Sequence, residues 1–128
     1  MIDSLRELLK NSYSPYSHYA VSAIAVMKDG KMFPGVNVEN ASFGATICAE
    51  RNAILSAISN GYKKHDFQEL YVMNASGEIG MPCFLCRQVI SELFEKDKVI
   101  HCCTTTGVVE DYTVEELCPY PFGEDDLK

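Results

Sequence analysis

Nowhere in this 128-residue chain does an apolar run approach the roughly 20 residues needed to span a bilayer. A transmembrane segment is therefore not expected. The first residues, Met1-Ile2-Asp3-Ser4-Leu5-Arg6-Glu7, carry charges where a secretory signal needs an apolar stretch, which predicts a cytoplasmic protein. Basic residues are also scarce: 11 Lys and Arg face 18 Asp and Glu, giving a formal net charge of −7. Such a chain gains nothing from the counterion release that drives binding to a phosphate backbone, so nucleic acid is not an expected partner. Internal repeats, low-complexity segments and long linkers are missing as well, so residues 1–128 should fold as a single domain. The remaining balance, 47% hydrophobic and 23% charged, is that of an ordinary globular domain with a packed core.

What is present is clear alternation of periodic segments and turn formers. Ile2, Leu5, Leu8 and Leu9 recur at helical intervals, with Asp3 or Ser4 available as an N-cap. Val21 to Met27 and Met32 to Val38 flank Lys28-Asp29-Gly30-Lys31, and Asp-Gly between two apolar runs predicts a β-hairpin. A central helix is expected over Ile47 to Ile58, stopped by Asn60-Gly61. Leu70 to Met73 reads as a buried strand, and Cys83 to Phe94 as a helix introduced by Pro82. Val99 to Thr104 and Val108 to Thr113 are separated only by Thr105-Thr106-Gly107. A parallel crossover needs a dozen or more residues, so these two strands should pair antiparallel. From Cys118 onward, Pro119 and Pro121 predict an irregular tail.

Six cysteines in a reducing cytoplasm point to metal ligation or burial rather than to disulfides. Cys48-Ala49-Glu50 opens one predicted helix and Pro82-Cys83-Phe84-Leu85-Cys86 another, so both helix starts can converge on one ion. Helix N-termini favour the thiolate that zinc requires, and three thiolates leave a fourth tetrahedral position open for water, as in a catalytic zinc site. Three thiolates also overcompensate the charge of the ion. A nearby cation should relieve this, and Arg51, three residues after Cys48, is preferred over Arg87 for that role. Glu50 is the candidate general acid and base. Residues two apart lie on nearly opposite sides of a regular helix, so Cys48 and Glu50 can share a site only if Cys48 stands at the first turn.

Ser14-Pro15-Tyr16-Ser17, Asn37-Val38-Glu39-Asn40-Ala41, Thr46-Ile47-Cys48-Ala49-Glu50-Arg51, Cys86-Arg87-Gln88-Val89 and Thr113-Val114-Glu115-Glu116-Leu117 together resemble the zinc-dependent cytidine deaminases, specifically the small homotetrameric type acting on free nucleosides. The resemblance spans nearly the whole chain. It implies a three-layer α/β/α sandwich with a five-stranded mixed sheet, one Zn2+ per chain on Cys48, Cys83 and Cys86, and Glu50 as the proton carrier that is not a ligand. It also implies hydrolysis of cytidine and deoxycytidine in pyrimidine salvage. By position, Asn37 and Glu39 would bind the ribose, Tyr19 would pack against the base, and the Ala49 main chain would hold the pyrimidine edge. Phe122 would reach into a neighbouring subunit's site. Several positions depart from the family: Phe84 and Leu85 stand where small residues are usual and could narrow or reshape the pocket, Tyr19 replaces phenylalanine, Ser22 a glycine and Asn52 a threonine.

Plainer readings compete with these. The three cysteines can be buried thiols, or a closed structural zinc site completed by Cys102 or Cys103, of which only one could ligate because adjacent strand residues face opposite ways. His18, His65 and His101 are expected to be surface or strand residues without metal. Phe84 and Leu85 motivate a rival substrate, the aminopyrimidine nucleoside antibiotic blasticidin S. A rival from a different class is a zinc-stabilised binding protein without catalysis, against which Glu50 argues.

Overall fold

The computed structural model describes residues 1–127. An interior strand of its sheet, β1 (Val21–Met27), is buried on both faces. Ala23, Ala25 and Met27 point into one core cluster, while Ile24 and Val26 point into another. This explains why β1 reads as a continuous apolar run rather than an alternating one. It pairs antiparallel with β2 (Met32–Val36) through the anticipated turn, where Gly30 takes a φ of 91° that a side chain would resist.

Three further strands complete the sheet in the order β2-β1-β3-β4-β5. β3 (Phe67–Asn74) runs antiparallel to β1, and β4 (Val99–Cys103) runs parallel to β3. The parallel step is possible because α3 (Phe84–Leu93) supplies the crossover. β5 (Val109–Thr113) pairs antiparallel with β4, as the short loop between them requires.

Helices cover both faces. On one side α1 (Ile2–Leu9) buries Leu5 against Ile24, Val26, Met73 and Cys103. On the other, α2 (Ala49–Ser59) and α3 bury Ala53, Ile54, Ala57, Ile90 and Phe94 against Ala23, Ala25, Leu70 and Ile100. The result is the expected three-layer α/β/α arrangement. The alanines along α2 and β1 let helix and sheet approach closely. Contact is tightest at Gly35, where a Cβ would lie 2.5 Å from both the Ala49 carbonyl oxygen and the Ala53 amide nitrogen.

Several boundaries differ from the sequence expectation for identifiable reasons. α1 begins at Ile2 with Met1 at the cap position, so neither Asp3 nor Ser4 caps it; Asp3 instead pairs with Arg6 at 2.6 Å. β2 ends at Val36, and α2 starts at Ala49 rather than Ile47. Val38 and Ile47 are occupied by an isolated bridge, exchanging N–H···O bonds of 3.0 Å in both directions. A short helix, α4 (Val114–Leu117), follows β5 directly and was not anticipated. Thr113 and Glu116 form a reciprocal capping box at its start. The tail is irregular to Gly123 and then forms a 3-10 turn over Glu124–Leu127.

Candidate metal centre

Both metal-motif helices start at the same end of the sheet, and the cysteines stand at their starts. Cys48 is the N-cap of α2 and Cys83 the N-cap of α3, each with extended backbone (ψ 156° and 164°). Cys86 follows in the first turn of α3 and is fully buried. The Sγ atoms of Cys48 and Cys83 lie 3.7 Å apart, and those of Cys83 and Cys86 3.6 Å apart. A disulfide needs about 2.05 Å. A tetrahedral ion with zinc–sulfur bonds of about 2.3 Å sets its sulfurs about 3.8 Å apart, so the spacing fits zinc. The donor chemistry agrees, since thiolates prefer this class of metal.

Among the described residues these three form the only cluster of potential ligands. Cys102 and Cys103 are buried on β4 and point into opposite core clusters, Cys102 towards α2 and α3 and Cys103 towards α1. Neither supplies a fourth ligand within this cluster, which leaves the closed structural site without its required donor. The histidines also stay outside it. His101 is instead held between Asp111 and Glu69, each 2.6 Å from one ring nitrogen, and stacks on Tyr71.

Charge around the sulfurs is balanced by Arg51, whose Nη2 donates to Cys48 Sγ at 3.4 Å. The neighbouring Cys86 thiol, together with Arg51 and Cys83, pulls the Cys48 thiol down to about 5. The proximity of Cys48 and burial push Cys86 upward. Arg87 takes no part. Its Nε donates to the Pro82 carbonyl at 2.8 Å, its Nη1 to the Leu117 carbonyl at 3.1 Å, and it lies over the Phe84 ring.

A cavity of about 410 Å³ opens beside the cluster, with Cys48, Cys83, Ala49 and Glu50 in its wall. Because Cys48 is the N-cap and not a helical residue, its side chain and that of Glu50 reach the same space. Glu50 is only 4% exposed. Burial, reinforced by the charge on Cys48, lifts its carboxyl from the usual 4.5 to about 7, where it can both take and give a proton near neutrality.

Tyr19, Asn37 and Glu39 line the same cavity. Asn37 Oδ1 accepts from the Val21 amide (2.9 Å) and from Ser12 Oγ, while its Nδ2 donates to the Tyr19 carbonyl at 2.8 Å. One Nδ2 hydrogen remains for a ligand. Glu39 accepts from the amides of Tyr16 and Ser17, each at 3.0 Å, and from Ser17 Oγ, so it fixes the Ser14–Ser17 turn as a cavity wall. These donors, the Ser17 hydroxyl foremost, hold its carboxyl below the usual range.

Phe84 and Leu85 do not narrow the pocket. They are 74% and 66% exposed and lie outside its wall, because the first turn of α3 turns them to solvent while Cys83 and Cys86 face the cluster. Phe122 is 55% exposed and also outside this cavity; its carbonyl accepts from Gln88 Nε2 at 2.6 Å. Sequence reasoning gave no role to Asn74, Gly80, Met81, Ser17 and Thr46, which also line the wall. Ser17 and Thr46 lie within the stretches that carry the family resemblance and Asn74 is a polar residue ending a buried strand, whereas Gly80 and Met81 carried no signal.

The family model for the cytidine and deoxycytidylate deaminase zinc-binding region matches residues 1–103. A cytidine deaminase of Halalkalibacterium halodurans is 38% identical over 92% of this chain and 88% of its own length. The crystal structure of cytidine deaminase from Burkholderia pseudomallei superimposes with a TM-score of 0.90 at 36% identity, covering 94% of this chain and 95% of the other. A blasticidin-S deaminase of Bacillus cereus stands further off, at 28% identity over 95% of this chain and 89% of its own length.

Proposed function

The chain belongs to the cytidine and deoxycytidylate deaminases, and from that premise we propose that it hydrolyses cytidine and deoxycytidine to uridine and deoxyuridine with release of ammonia. The observation that carries the reading is the shared cavity: Glu50 and the thiols of Cys48 and Cys83 open into one space, with Cys86 directly behind. Cys48, Cys83 and Cys86 would hold the zinc ion. Bound there, zinc supplies the Lewis acidity that makes water a nucleophile near neutral pH. Glu50 takes the proton from the attacking water on its carboxylate and passes it to the ring nitrogen. Glu50 then carries the second proton of that water from the new hydroxyl to the exocyclic amine, which leaves as ammonia as the C–N bond breaks and the C–O bond becomes the product carbonyl.

The amides at the start of α2 have no carbonyl one turn back to bond, so that of Ala49 is free to hold the pyrimidine carbonyl. Tyr19 would pack against the base. Asn37 Nδ2 and the Glu39 carboxylate would receive the sugar hydroxyls. Arg51 withdraws charge from Cys48.

The cavity wall carries two carboxylates and no lysine or arginine. A phosphate near Glu39 would meet a like charge with no cation to offset it, so the substrate is a free nucleoside. Deoxycytidine 5′-monophosphate is expected to show kcat/KM at least about 100-fold below deoxycytidine, like-charge juxtaposition costing several kcal/mol. Steady-state ultraviolet assays of the pair check this. Comparing cytidine, deoxycytidine, cytosine and blasticidin S in the same assay tests the wider reading, and absence of cytidine turnover by the zinc-loaded protein would sink it. Blasticidin S is disfavoured because Phe84 and Leu85, which motivated it, lie outside the cavity wall of the chain.

The same reading makes the chain one catalytic domain of a cytoplasmic homotetramer in which Phe122 enters a neighbour's cavity. In support, Phe43, Phe84, Leu85, Tyr120 and Phe122 are all exposed on the isolated chain. No helix among the described residues is long and apolar enough to cross a membrane. Light scattering is expected to give four times the chain mass, and a strictly monomeric active enzyme would remove Phe122 from any neighbour's site.

A further inference from the structure

Gly80 has a feature that its backbone does not explain. Its φ lies outside the left-handed region, so chain conformation alone does not require glycine. Its side-chain space is taken instead: a Cβ would lie 2.8 Å from Tyr19 Oη and 2.4 Å from Asn74 Nδ2. Asn74 is 4% exposed and pinned, with Nδ2 donating to the Glu78 carbonyl at 3.1 Å and Oδ1 accepting from the Ser76 amide at 2.8 Å. Tyr19 is held at its other end, where its amide donates to Ser17 Oγ at 3.0 Å and its carbonyl accepts from Asn37 Nδ2. The ring is therefore fixed between a main-chain anchor and a hydroxyl seated over a residue without a side chain. Burial of that hydroxyl, with Glu50 nearby, raises its pKa above the ordinary tyrosine value.

We propose that Gly80 is a positioning residue for Tyr19: the tyrosine hydroxyl shares the side-chain volume of position 80 with the pinned Asn74 amide, and glycine there sets the pitch of the ring over the nucleoside cavity. The inference rests on the proposed nucleoside-binding role of this cavity. It deepens that role by coupling the identity of residue 19 to that of residue 80. A side chain at 80 pushes the hydroxyl outward and tilts the ring into the space of the base. Substrate binding should suffer before the chemical step, because the atoms nearest a Cβ at 80 belong to Asn74 and Tyr19 and not to Glu50 or the three cysteines.

The experiment is a double-mutant cycle of Gly80→Ala, Tyr19→Phe and the pair, read as KM, kcat, zinc content and melting temperature. Gly80→Ala is expected to raise KM for cytidine about 10-fold or more while kcat changes less, with zinc retained. Adding Tyr19→Phe removes the hydroxyl share of the obstruction and leaves the Asn74 share, so KM should fall at least about 3-fold below that of Gly80→Ala alone, a coupling typical of residues in contact. A silent Gly80→Ala overturns the proposal. So does a double variant as impaired as Gly80→Ala alone, because the obstruction is then Asn74 or the backbone. If Gly80→Ala fails to fold, recovery of soluble protein in the double variant supports the seat, and failure of both rejects it. Should no variant, the parent included, act on cytidine, the functional reading falls; non-additive melting temperatures at positions 19 and 80 would still report the contact on its own.

Discussion

Glu50→Gln is expected to lower kcat for cytidine by about 10³-fold or more while the protein still carries one zinc per chain, the scale on which a positioned acid–base group acts. Glutamine keeps the size and the hydrogen-bonding reach of glutamate but cannot carry the proton. It stands at a buried position where the shape of the cavity wall should survive the change. Metal analysis alongside the ultraviolet assay separates loss of chemistry from loss of zinc, and a variant with near-parental turnover would remove Glu50 from the mechanism. The same substitution has a stability signature in the metal-free protein. Folding raises the Glu50 pKa from 4.5 to about 7. The fold therefore prefers the protonated carboxyl, and the stability this contributes is full below about pH 4.5 and lost as pH rises through about 7. At pH 8 metal-free Glu50→Gln should exceed the metal-free parent by up to roughly 3 kcal/mol, at about 1.4 kcal/mol per pKa unit. The difference should vanish near pH 4, as urea melts at the two values would show.

Cys86→Ser should be the most damaging single change at the metal centre. Cys86 is fully buried behind the cavity, so solvent cannot substitute for its sulfur as readily as at the exposed Cys83. Serine keeps the shape and removes the soft donor that zinc selects. Zinc affinity is expected to fall by more than about 100-fold, the upper range for losing even an outer-shell partner, with activity falling in proportion. Cys118→Ser is the control, a half-buried thiol outside the cluster, and should retain both zinc and turnover. Chelation of the parent protein should abolish activity while far-ultraviolet circular dichroism persists, with activity restored by added zinc. Unfolding in step with metal loss, with no turnover when zinc is present, would instead favour a structural ion.

The features read best from sequence were those imposed by local chemistry. Asp29-Gly30 dictated the hairpin, the three-residue loop before Val108 dictated antiparallel pairing, and the cysteine spacing required Cys48 to stand outside the regular helix, where it is the N-cap. Features built from distant contacts were not legible. Asn74 and Gly80 acquire their roles only when the end of β3 meets the loop before α3 and Tyr19 arrives from a third segment. The outward direction of Phe84 and Leu85 was hidden because a Cys-x-x-Cys spacing fixes where its cysteines face but leaves open whether the space beside them is cavity or solvent. The helix α4 was overlooked although its Thr113-x-x-Glu116 signal was present, because four residues are too few to show a helical period.

The missing side chain at position 35 gives the sheet a direct hold on the reactive groups. With the main chain of Ala49 and Ala53 resting where a methyl group would be, β2 acts as a gauge that sets the height of Cys48 and Glu50 above the strands. A substitution there lies outside the cavity wall, yet it would displace ligand and proton carrier together. Its damage would look like an active-site lesion in an assay although the altered residue touches no substrate.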